Sequence, residues 1–457
     1  MVTASGSGLL AELFSTAAME QVFSDASHVQ QMLRFEWALS AALADCGLAP
    51  ATAAAPLAAL LDKEFLTPER ANSLRPAAAL AGNLAIPFVK MLTTAVAEKD
   101  AEAARFVHKG ATSQDLLDTA LVLQLQQAIP LLQRDLDSVI ARCIELAREH
   151  AETILAGRTW LQQGPPVTLG LKFAGYAAAL SRHKRRLQQS TERALVSQFG
   201  GAVGTLASLR DNGLNVSSAL AKRLSLREPS LPWHTHRDNL AELATVLGLL
   251  TGTLGKMARD IALSMQTEVG ELLEPAGEGR GGSSTMPHKR NPVGCAVVLS
   301  AAVRVPPLVA TMLAAMTQEH ERGLGGWHAE WDTMPQIFRL SAGALSQIRQ
   351  IFDGLEIHAD RMAQNLELTH GLVLAEAVSS ALAEQLGRSE AHRLVEEATL
   401  RSIQEKRSLE AVLSELPVVS EHFTPAALRR LFDYRDYLGS SREFIERTLK
   451  SLERVED

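Results

Sequence analysis

Apolar residues recur at helical spacing over five stretches that are much longer than the roughly 12 residues of an average helix. These stretches cover residues 112–154, 167–197, 238–273, 292–318 and 331–355. The first has an apolar face formed by Leu116, Leu117, Ala120, Leu121, Ile129, Leu132, Leu136, Val139, Ile140 and Cys143. Long helices with faces of Ala, Gly and Leu predict a helical bundle, and such helices normally find partners in other subunits.

The segments on either side of these stretches predict shorter helices. Prolines at positions 50, 56, 68, 76 and 87 interrupt the first 110 residues. A chain of 457 residues is long for a single core. We therefore expect three domains: an N-terminal helical domain over 1–110, a central long-helix bundle over 111–356 and a C-terminal helical domain over 357–457. Pro130 should kink the first long helix.

Composition supports an all-α fold in a soluble, cytoplasmic protein. Aromatic residues make up 5% of the chain, while Ala and Leu dominate, which favours helices over strands. A formal net charge of −7 argues against a nucleic-acid partner. We expect no membrane span, because no segment reaches the roughly 20 apolar residues that a span needs. Cys46, Cys143 and Cys295 lie far apart without the spacing of metal ligands, so we expect reduced thiols.

Two connections between the predicted long helices are rich in residues that bind anions. The first, residues 274–291, reads EPAGEGRGGSSTMPHKRN, and the second, residues 319–332, reads EHERGLGGWHAEWD. Lys289 and Arg290 supply positive charge just before a helix that Asn291 is expected to cap, and helix N-termini favour anions. Composition alone leaves a solvated, flexible loop as an equal alternative.

Residues 282–292, GSSTMPHKRNP, closely resemble the signature loop of the fumarase/aspartase superfamily. Two more segments resemble conserved regions of that superfamily in the right order. They are HKGATSQDLLDTA at residues 108–120 and GRTWLQQGPPVTLG at residues 157–170. The resemblance extends over essentially the whole chain.

This resemblance implies a homotetramer whose core has twenty helices, five from each chain, and active sites that gather the three regions from three subunits. It implies an enzyme without a metal or cofactor that forms an anion next to a substrate carboxylate while a β-leaving group departs or adds. By position in the motif, Ser283 is the expected acid/base. Lys289 and Asn291 are expected to hold the carboxylate and stabilise the enolate-like intermediate, which needs preorganised cations and donors.

One departure from the superfamily pattern concerns the leaving group. Adenylosuccinate lyases have a histidine after Arg-Thr in the second region, and it serves as the general acid for the departing nitrogen. Trp160 stands there in this chain. An indole has only an N–H donor and does not shuttle protons at neutral pH. Pro87-Phe88 also replaces a His-Asp pair that helps those lyases hold a phosphate-bearing substrate, so a purine substrate is disfavoured.

The segments TWLQQ at residues 159–163 and GGWHAEWDTMPQ at residues 325–336 resemble the bacterial 3-carboxy-cis,cis-muconate cycloisomerases of protocatechuate breakdown. That resemblance implies that an internal carboxylate of a small tricarboxylate adds to a double bond and closes a lactone. In the reverse direction a carboxylate departs, and because its pKa lies near 4 it needs no general acid. Trp160 is then compatible with the chemistry.

The residues expected to bind this substrate are His108, Lys109, Thr112, Ser113, Gln114, Trp160, Gln162, Arg322 and His328. Alternatives remain for several of them. His108 could form a hydrogen bond at the helix start, Arg322 a structural salt bridge, and Trp160 a packing contact. Arg158 and Arg290 fit ion pairs at a subunit interface. His234 and His236 raise the idea of a metal, but no third ligand has suitable spacing.

Other functions stay open at this stage. The chain could be a fumarate-releasing lyase of the adenylosuccinate or argininosuccinate type, or a cycloisomerase for a sulfonated muconate. It could also be a non-catalytic structural protein, although Ser283 and Lys289 would then have no physical purpose.

Overall fold

The structure is a computed structural model that describes residues 10–277, 281, 282, 286 and 289–456. Within them the fold is predominantly helical with few strands, which confirms the expected all-α class. Several helices begin where a hydroxyl accepts a hydrogen bond from the amide three residues later, as Ser24 does from Ser27. The shorter helices are α1 Ala11–Phe14, α2 Ala17–Val22, α3 Asp25–Asp45, α4 Ala55–Leu61, α5 Pro68–Ala81, α6 Ala85–Ala97 and α9 Gly213–Leu224.

The predicted long stretches form helices with slightly different ends. They are α7 Ser113–Glu149, α8 Leu169–Ala194, α10 Asp238–Ser264, α11 Val293–Ala314 and α12 Gly326–Asp353. Helix α7 continues through Pro130. Helix α12 begins five residues before the predicted start at 331, so Trp327, His328 and Glu330 lie in its first turns and not in a loop.

The described C-terminal part contains seven further helices, and the apolar faces of five of them form a core cluster that includes Val378, Leu382, Val395 and Val412. The seven helices are α13 Ala359–Glu367, α14 Ala375–Leu386, α15 Arg388–Glu405, α16 Leu409–Ser414, α17 Pro417–His422, α18 Pro425–Arg430 and α19 Ser441–Glu456. Short 3-10 turns lie at Ala103–Phe106, Ala207–Asn212, Leu372–Leu374 and Tyr434–Tyr437.

The chain divides into two compact units, each built from separated segments. Unit 1 comprises residues 1–136, 183–255 and 297–347, and unit 2 comprises residues 137–182, 256–296 and 348–457. Phe23 and Phe338 pack in unit 1 with ring centres 5.7 Å apart, and Phe173 and Phe352 pack edge-to-face in unit 2 at 5.8 Å. The division into domains 1–110, 111–356 and 357–457 stays a prediction.

A β-hairpin in unit 2 was not anticipated from the sequence. Strand β1 Ile154–Thr159 pairs antiparallel with β2 Gln162–Thr168. Trp160 and Leu161 form the two-residue turn with φ of 54° and 65°, the left-handed values that such a turn needs. A second pair, β3 Leu272–Leu273 and β4 Glu356–Ile357, is also antiparallel.

Helices α10 and α11 are long and apolar enough to cross a membrane by length and composition alone. The expectation that no segment is so apolar was therefore too strong. Arg304 and the pair Pro306-Pro307 lie within the apolar sequence of α11, which continues through them. The guanidinium of Arg304 lies 5.1 Å from the ring centre of Phe14 within unit 1. Part of the apolar surface of both helices stays exposed, including Leu249 and Val303.

Two glycines of α8 provide a matched test of packing in unit 2. A Cβ at Gly170 would lie 2.5 Å from the carbonyl oxygen of Ala147 and 2.8 Å from the Cα of Ala151, whereas Gly175 has open space around it. Gly170→Ala should lower the free energy of unfolding by about 1–3 kcal/mol, because backbone atoms must move. Gly175→Ala should be neutral or raise it by up to about 1 kcal/mol through helix propensity. Urea denaturation of both variants checks this, and equal stabilities would contradict it.

Candidate active site

Arg290 and Asn291 of the signature loop are anchored within unit 2. Arg290 donates to both carboxylate oxygens of Glu356 at 2.7 and 2.8 Å, so its ion-pair partner lies in its own chain. The amide of Asn291 donates to the carbonyl oxygen of Gly281 at 2.8 Å. Lys289 is exposed. Ser283 lies outside the described residues.

The carboxylate of Glu274 caps helix α11. Its two oxygens accept hydrogen bonds from the amides of Gly294 at 3.0 Å and Cys295 at 2.7 Å. Glu274 is buried, and a carboxylate at this end also complements the helix dipole. The sequence had suggested Asn291 for the cap, but it did not single out Glu274, which lies 20 residues before Gly294.

An ion pair with a buried carboxylate anchors the hairpin of unit 2 close to its turn, because Arg158 lies in the second residue pair from Trp160 and Leu161. Arg158 donates to both oxygens of Glu271 at 2.8 and 2.6 Å, so this arginine also pairs within the chain. Asn365 donates to Glu271 at 2.8 Å, and Gln163 donates to the carbonyl of Asn365 at 2.8 Å. The hairpin is therefore tied to α13, and its turn projects the side chain of Trp160.

Trp160 and Gln162 are exposed in the single chain. Trp160 has 97% of its surface accessible, and its neighbour Leu161 has 74%. Large apolar side chains at a left-handed turn carry a conformational cost, since Asn and Gly suit that turn far better. A binding or packing contact outside the single chain would offset this cost. A packing role for Trp160 is not seen within the described part of this chain.

In unit 1, a buried glutamate holds His108. The oxygens of Glu36 accept from the backbone amide of His108 at 2.8 Å and lie 2.6 Å from its Nδ1. His108 has φ of 59°. Burial alone would lower the pKa of His108, but the charge and hydrogen bond of Glu36, with a smaller contribution from Asp115, raise it above its usual value. The imidazole is therefore biased towards the cation that an anionic substrate requires.

Asp115, in the first turn of α7, binds donors from three separate stretches of unit 1. Its carboxylate accepts from the amide of Thr112 at 2.9 Å, which is the contact that the acid makes in a capping box. It also accepts from the amides of Gly200 and Gly201 at 3.0 and 2.9 Å. Finally, Nε2 of His234 lies 2.7 Å from it. This contact explains why His234 is buried beside an acid without invoking a metal.

Arg322 contacts two of the expected substrate-binding residues. Its guanidinium donates to the hydroxyls of Thr112 at 2.5 Å and Ser113 at 3.1 Å. These three residues therefore come together in unit 1. Because an arginine keeps its charge at every relevant pH, this contact places a permanent cation beside two hydroxyls at the start of α7.

The remaining predicted residues of unit 1 have different environments. Lys109 is exposed and donates to the carbonyl of Leu48 at 3.1 Å. Gln114 is fully buried, and its amide nitrogen donates to the carbonyl of His234 at 2.7 Å and to Asp118 at 3.2 Å. Its observed contacts are structural. His328 is exposed on α12 and stacks near Trp331 with ring centres 4.5 Å apart.

Arg237, Asp118 and Glu330 form a buried charge network in unit 1. Arg237 donates to both oxygens of Asp118 at 2.7 and 3.0 Å and to Glu330 at 2.5 Å. Trp327 also donates to Asp118, at 2.9 Å. Burial raises the pKa of Glu330 although Arg237 opposes the shift. The network joins α7, the residue before α10 and α12. No sequence pattern pointed to this role of Arg237.

The comparisons with known proteins agree with one another. A family model described as lyase matches residues 13–306, and one described as adenylosuccinate lyase C-terminus matches residues 371–448. The chain is 55% identical to the 3-carboxy-cis,cis-muconate cycloisomerase of Pseudomonas aeruginosa, over 95% of this chain and 94% of that protein.

A solved structure and a more distant relative extend this similarity. The 3-carboxy-cis,cis-muconate lactonizing enzyme from Pseudomonas putida matches with a TM-score of 0.93 and 49% identity, covering 98% of this chain and 100% of that one. Nitrosuccinate lyase of Streptomyces davaonensis is 39% identical over 98% of this chain and 96% of that protein.

The pairing of His108 with Glu36 predicts a pH-dependent stability. Because the folded pKa of His108 is raised, the protonated imidazole stabilises the fold fully below the unfolded pKa of about 6.5 and loses this effect as pH rises through the folded pKa. Glu36→Gln should lower the free energy of unfolding by about 1–3 kcal/mol at low pH and by less above that pKa. Urea denaturation across pH measures it.

Glu102→Gln is the control, because Glu102 pairs with Arg105 on the surface and should change stability by less than about 0.5 kcal/mol. An effect of Glu36→Gln that is equal at all pH values would contradict the charge coupling.

Proposed function

We propose, from the premise that this chain belongs to the lyase family of the fumarase/aspartase superfamily, that it is a 3-carboxy-cis,cis-muconate cycloisomerase of protocatechuate breakdown. The sequence identity of 55% to a bacterial enzyme of that name supports this proposal. The observation that carries it is the turn of the hairpin, where Trp160 replaces the histidine of the amine-releasing lyases. The proposed reaction interconverts 3-carboxy-cis,cis-muconate and 4-carboxymuconolactone.

The chemistry follows from the stability of the leaving group. In the forward direction a carboxylate of the substrate adds to a double bond, and the carbon next to another carboxylate becomes an enolate-like anion that is then protonated. In the reverse direction the ring oxygen departs as a carboxylate, whose pKa is near 4. It leaves without a proton, so an indole at position 160 suffices.

The signature loop is proposed to carry the proton transfer. Ser283 would exchange the proton at the α-carbon, while Lys289 and Asn291 would hold the carboxylate whose oxygens gain charge in the intermediate. A serine is a weak base unless its alkoxide is stabilised, and the nearby positive charge of Lys289 would provide that. Arg290 would act indirectly, since Glu356 and the carbonyl of Glu274 already hold it.

The substrate carries three carboxylates and therefore needs several cations. His108, Lys109 and Arg322 supply positive charge around the start of α7, and the hydroxyls of Thr112 and Ser113 supply neutral donors. Glu36 supports this role because it raises the pKa of His108. Trp160, Gln162 and His328 are exposed and remain proposed contacts of the substrate. The buried Gln114 would act indirectly, by holding the first turn of α7 against His234.

We also propose a cytoplasmic homotetramer with a twenty-helix core. The exposed apolar surface of α10 and α11 favours it, because Leu249 is 50%, Val303 74% and Leu313 50% exposed in one chain. Exposed apolar surface of this extent marks protein or membrane contacts. Arg304 and two prolines within α11 make helical partners the better explanation than lipid. In such a tetramer three subunits would contribute to each site.

Two alternatives remain within the same superfamily. A cycloisomerase for a sulfonated muconate would use the same cations, since a sulfonate is also a stable anion. A fumarate-releasing lyase acting on an amine substrate is disfavoured by Trp160. The relative named nitrosuccinate lyase indicates that chains of this kind also include lyases of nitro-substituted succinates.

An ultraviolet assay distinguishes these functions. Purified enzyme mixed with 3-carboxy-cis,cis-muconate should remove the muconate absorbance, while adenylosuccinate and argininosuccinate should yield no fumarate. Ser283→Ala should lower turnover by at least about 100-fold, because general acid/base catalysis is typically worth that much. Its circular dichroism and elution volume should not change. Full activity in that variant would refute the role of Ser283, and fumarate from the amine substrates would refute the cycloisomerase assignment.

Sharing of sites between subunits predicts complementation. Ser283→Ala and His108→Ala chains, co-expressed with different affinity tags and purified through both tags, should show more activity than the average of the two homotetramers. Some sites of the mixed tetramer would then receive both normal residues from different chains. Activity no higher than that average would contradict shared sites, and a monomeric elution volume would contradict the tetramer.

A further inference from the structure

Arg322 lies in the connection between α11 and α12, where the backbone by itself gives a side chain little guidance. This connection covers residues 315–325 and contains Gly323 and Gly325, of which Gly325 has φ of 92°. An arginine side chain has many rotamers, and it binds an anion better when its neighbours have already restricted it to one of them. The orientation of Arg322 therefore depends on what its guanidinium contacts.

The contacts of Arg322 differ from those of the other arginines described above. Arg158 and Arg237 are held by carboxylates, whereas no acid in the described part of the chain forms an ion pair with Arg322. Its guanidinium donates to the hydroxyls of Thr112 and Ser113. Hydroxyl oxygens are neutral acceptors, so they leave the positive charge available for an anion.

The ring of Trp327 also contacts this guanidinium. Cζ of Arg322 lies over the indole, 5.9 Å from the ring centre, which is within the range where the face of an aromatic ring attracts a cation. Trp327 is buried, and such contacts are strongest where water is excluded. The indole can therefore orient the guanidinium without neutralising its charge as a carboxylate would.

The indole of Trp327 is itself held in place. Its Nε1 donates to Asp118 at 2.9 Å, and Trp331 packs edge-on against it with ring centres 4.9 Å apart. Asp118 belongs to α7, the helix at whose start both hydroxyls lie. One helix thus fixes the two groups between which the guanidinium of Arg322 is held, namely the hydroxyls and the indole.

We propose that Trp327 is a positioning residue of the candidate site, whose ring holds the guanidinium of Arg322 in the orientation that receives a substrate carboxylate. This inference rests on the function proposed above, because it takes the anion to be a carboxylate of that substrate. Trp327 acts through Arg322 and not on the substrate, since its indole is buried and its N–H is bound by Asp118. It strengthens binding, because Arg322 loses less freedom when the anion arrives.

Two substitutions separate the ring face from the N–H. Trp327→Phe keeps an aromatic face and removes the donor, while Asp118 retains its hydrogen bonds from Arg237 and Gln114. It should raise KM for 3-carboxy-cis,cis-muconate by less than about 3-fold. Trp327→Met fills much of the space without an aromatic face and should raise KM by about 5- to 30-fold, with kcat within about 2-fold of the wild-type value.

Fluorinated tryptophans at position 327 test the ring face without a change of shape. Each fluorine withdraws electron density from the face of the ring, and the indole N–H and the size of the side chain are almost unchanged. KM should therefore rise stepwise from tryptophan to monofluoro-, difluoro- and trifluorotryptophan, while the unfolding midpoint stays constant. A KM that does not depend on the number of fluorines would overturn the proposal, even if Trp327→Met failed to fold.

A double-mutant cycle distinguishes positioning from a general loss of packing. If Trp327 acts through Arg322, Trp327→Met should change KM by less than about 2-fold in an enzyme that already carries Arg322→Ala. Effects that multiply in the double variant would overturn the proposal. Phe444→Leu is the control, because it removes a similar contact in unit 2, where Arg447 lies 5.0 Å from the centre of the Phe444 ring. It should leave KM and kcat unchanged.

A crystal structure of the Trp327→Met enzyme tests the inference without a substrate. We expect the guanidinium of Arg322 to leave the hydroxyls of Thr112 and Ser113. A guanidinium that stays on both hydroxyls would overturn the positioning role and leave the cycloisomerase intact. A wild-type enzyme that ignores muconates would refute the proposed function, and a displaced Arg322 in the crystal would still support the positioning role.

Discussion

The carboxylate of Asp115 is buried at the start of α7, where donors from three stretches of unit 1 converge on it. It binds the amide of Thr112, the amides of Gly200 and Gly201, and the imidazole of His234. A buried charge is costly unless hydrogen bonds satisfy it, so the positions of these stretches are coupled. The placement of Thr112 and Ser113, and hence of Arg322 which contacts them, depends on this coupling.

Unit 1 concentrates buried acids around the cations that the proposed substrate needs. Glu36 binds His108, while Asp118 and Glu330 share Arg237, which is itself buried. The negative charge of Glu36 raises the pKa of His108 against the effect of burial, whereas burial itself raises the pKa of Glu330. Glu36 therefore favours the charged form of the His108 imidazole, while Asp118 and Glu330 orient the guanidinium of Arg237. Buried carboxylates thus support the residues that are proposed to bind the anion.

Unit 2 contains the hairpin turn at which Trp160 replaces the histidine of the amine-releasing lyases. There the ion pair Arg158–Glu271 holds the hairpin close to its turn, and the ion pair Arg290–Glu356 holds one end of the signature loop. The turn at Trp160 is left exposed and carries no titratable group. In the proposed reaction the leaving group is a carboxylate, whose pKa near 4 makes a proton donor at position 160 unnecessary.

Sequence patterns determined the helical class and the five long helices, because periodic apolar faces are a local property of the chain. Motif resemblance identified the superfamily and the replacement of histidine by Trp160. The early start of α12, the hairpin, the partners of Arg158 and Arg290, and the roles of Glu36, Glu274 and Arg237 were decided by tertiary structure. Those contacts join residues tens to hundreds of positions apart, and whether a buried charge is tolerated depends on which partner the fold brings within hydrogen-bond distance, which no local pattern encodes.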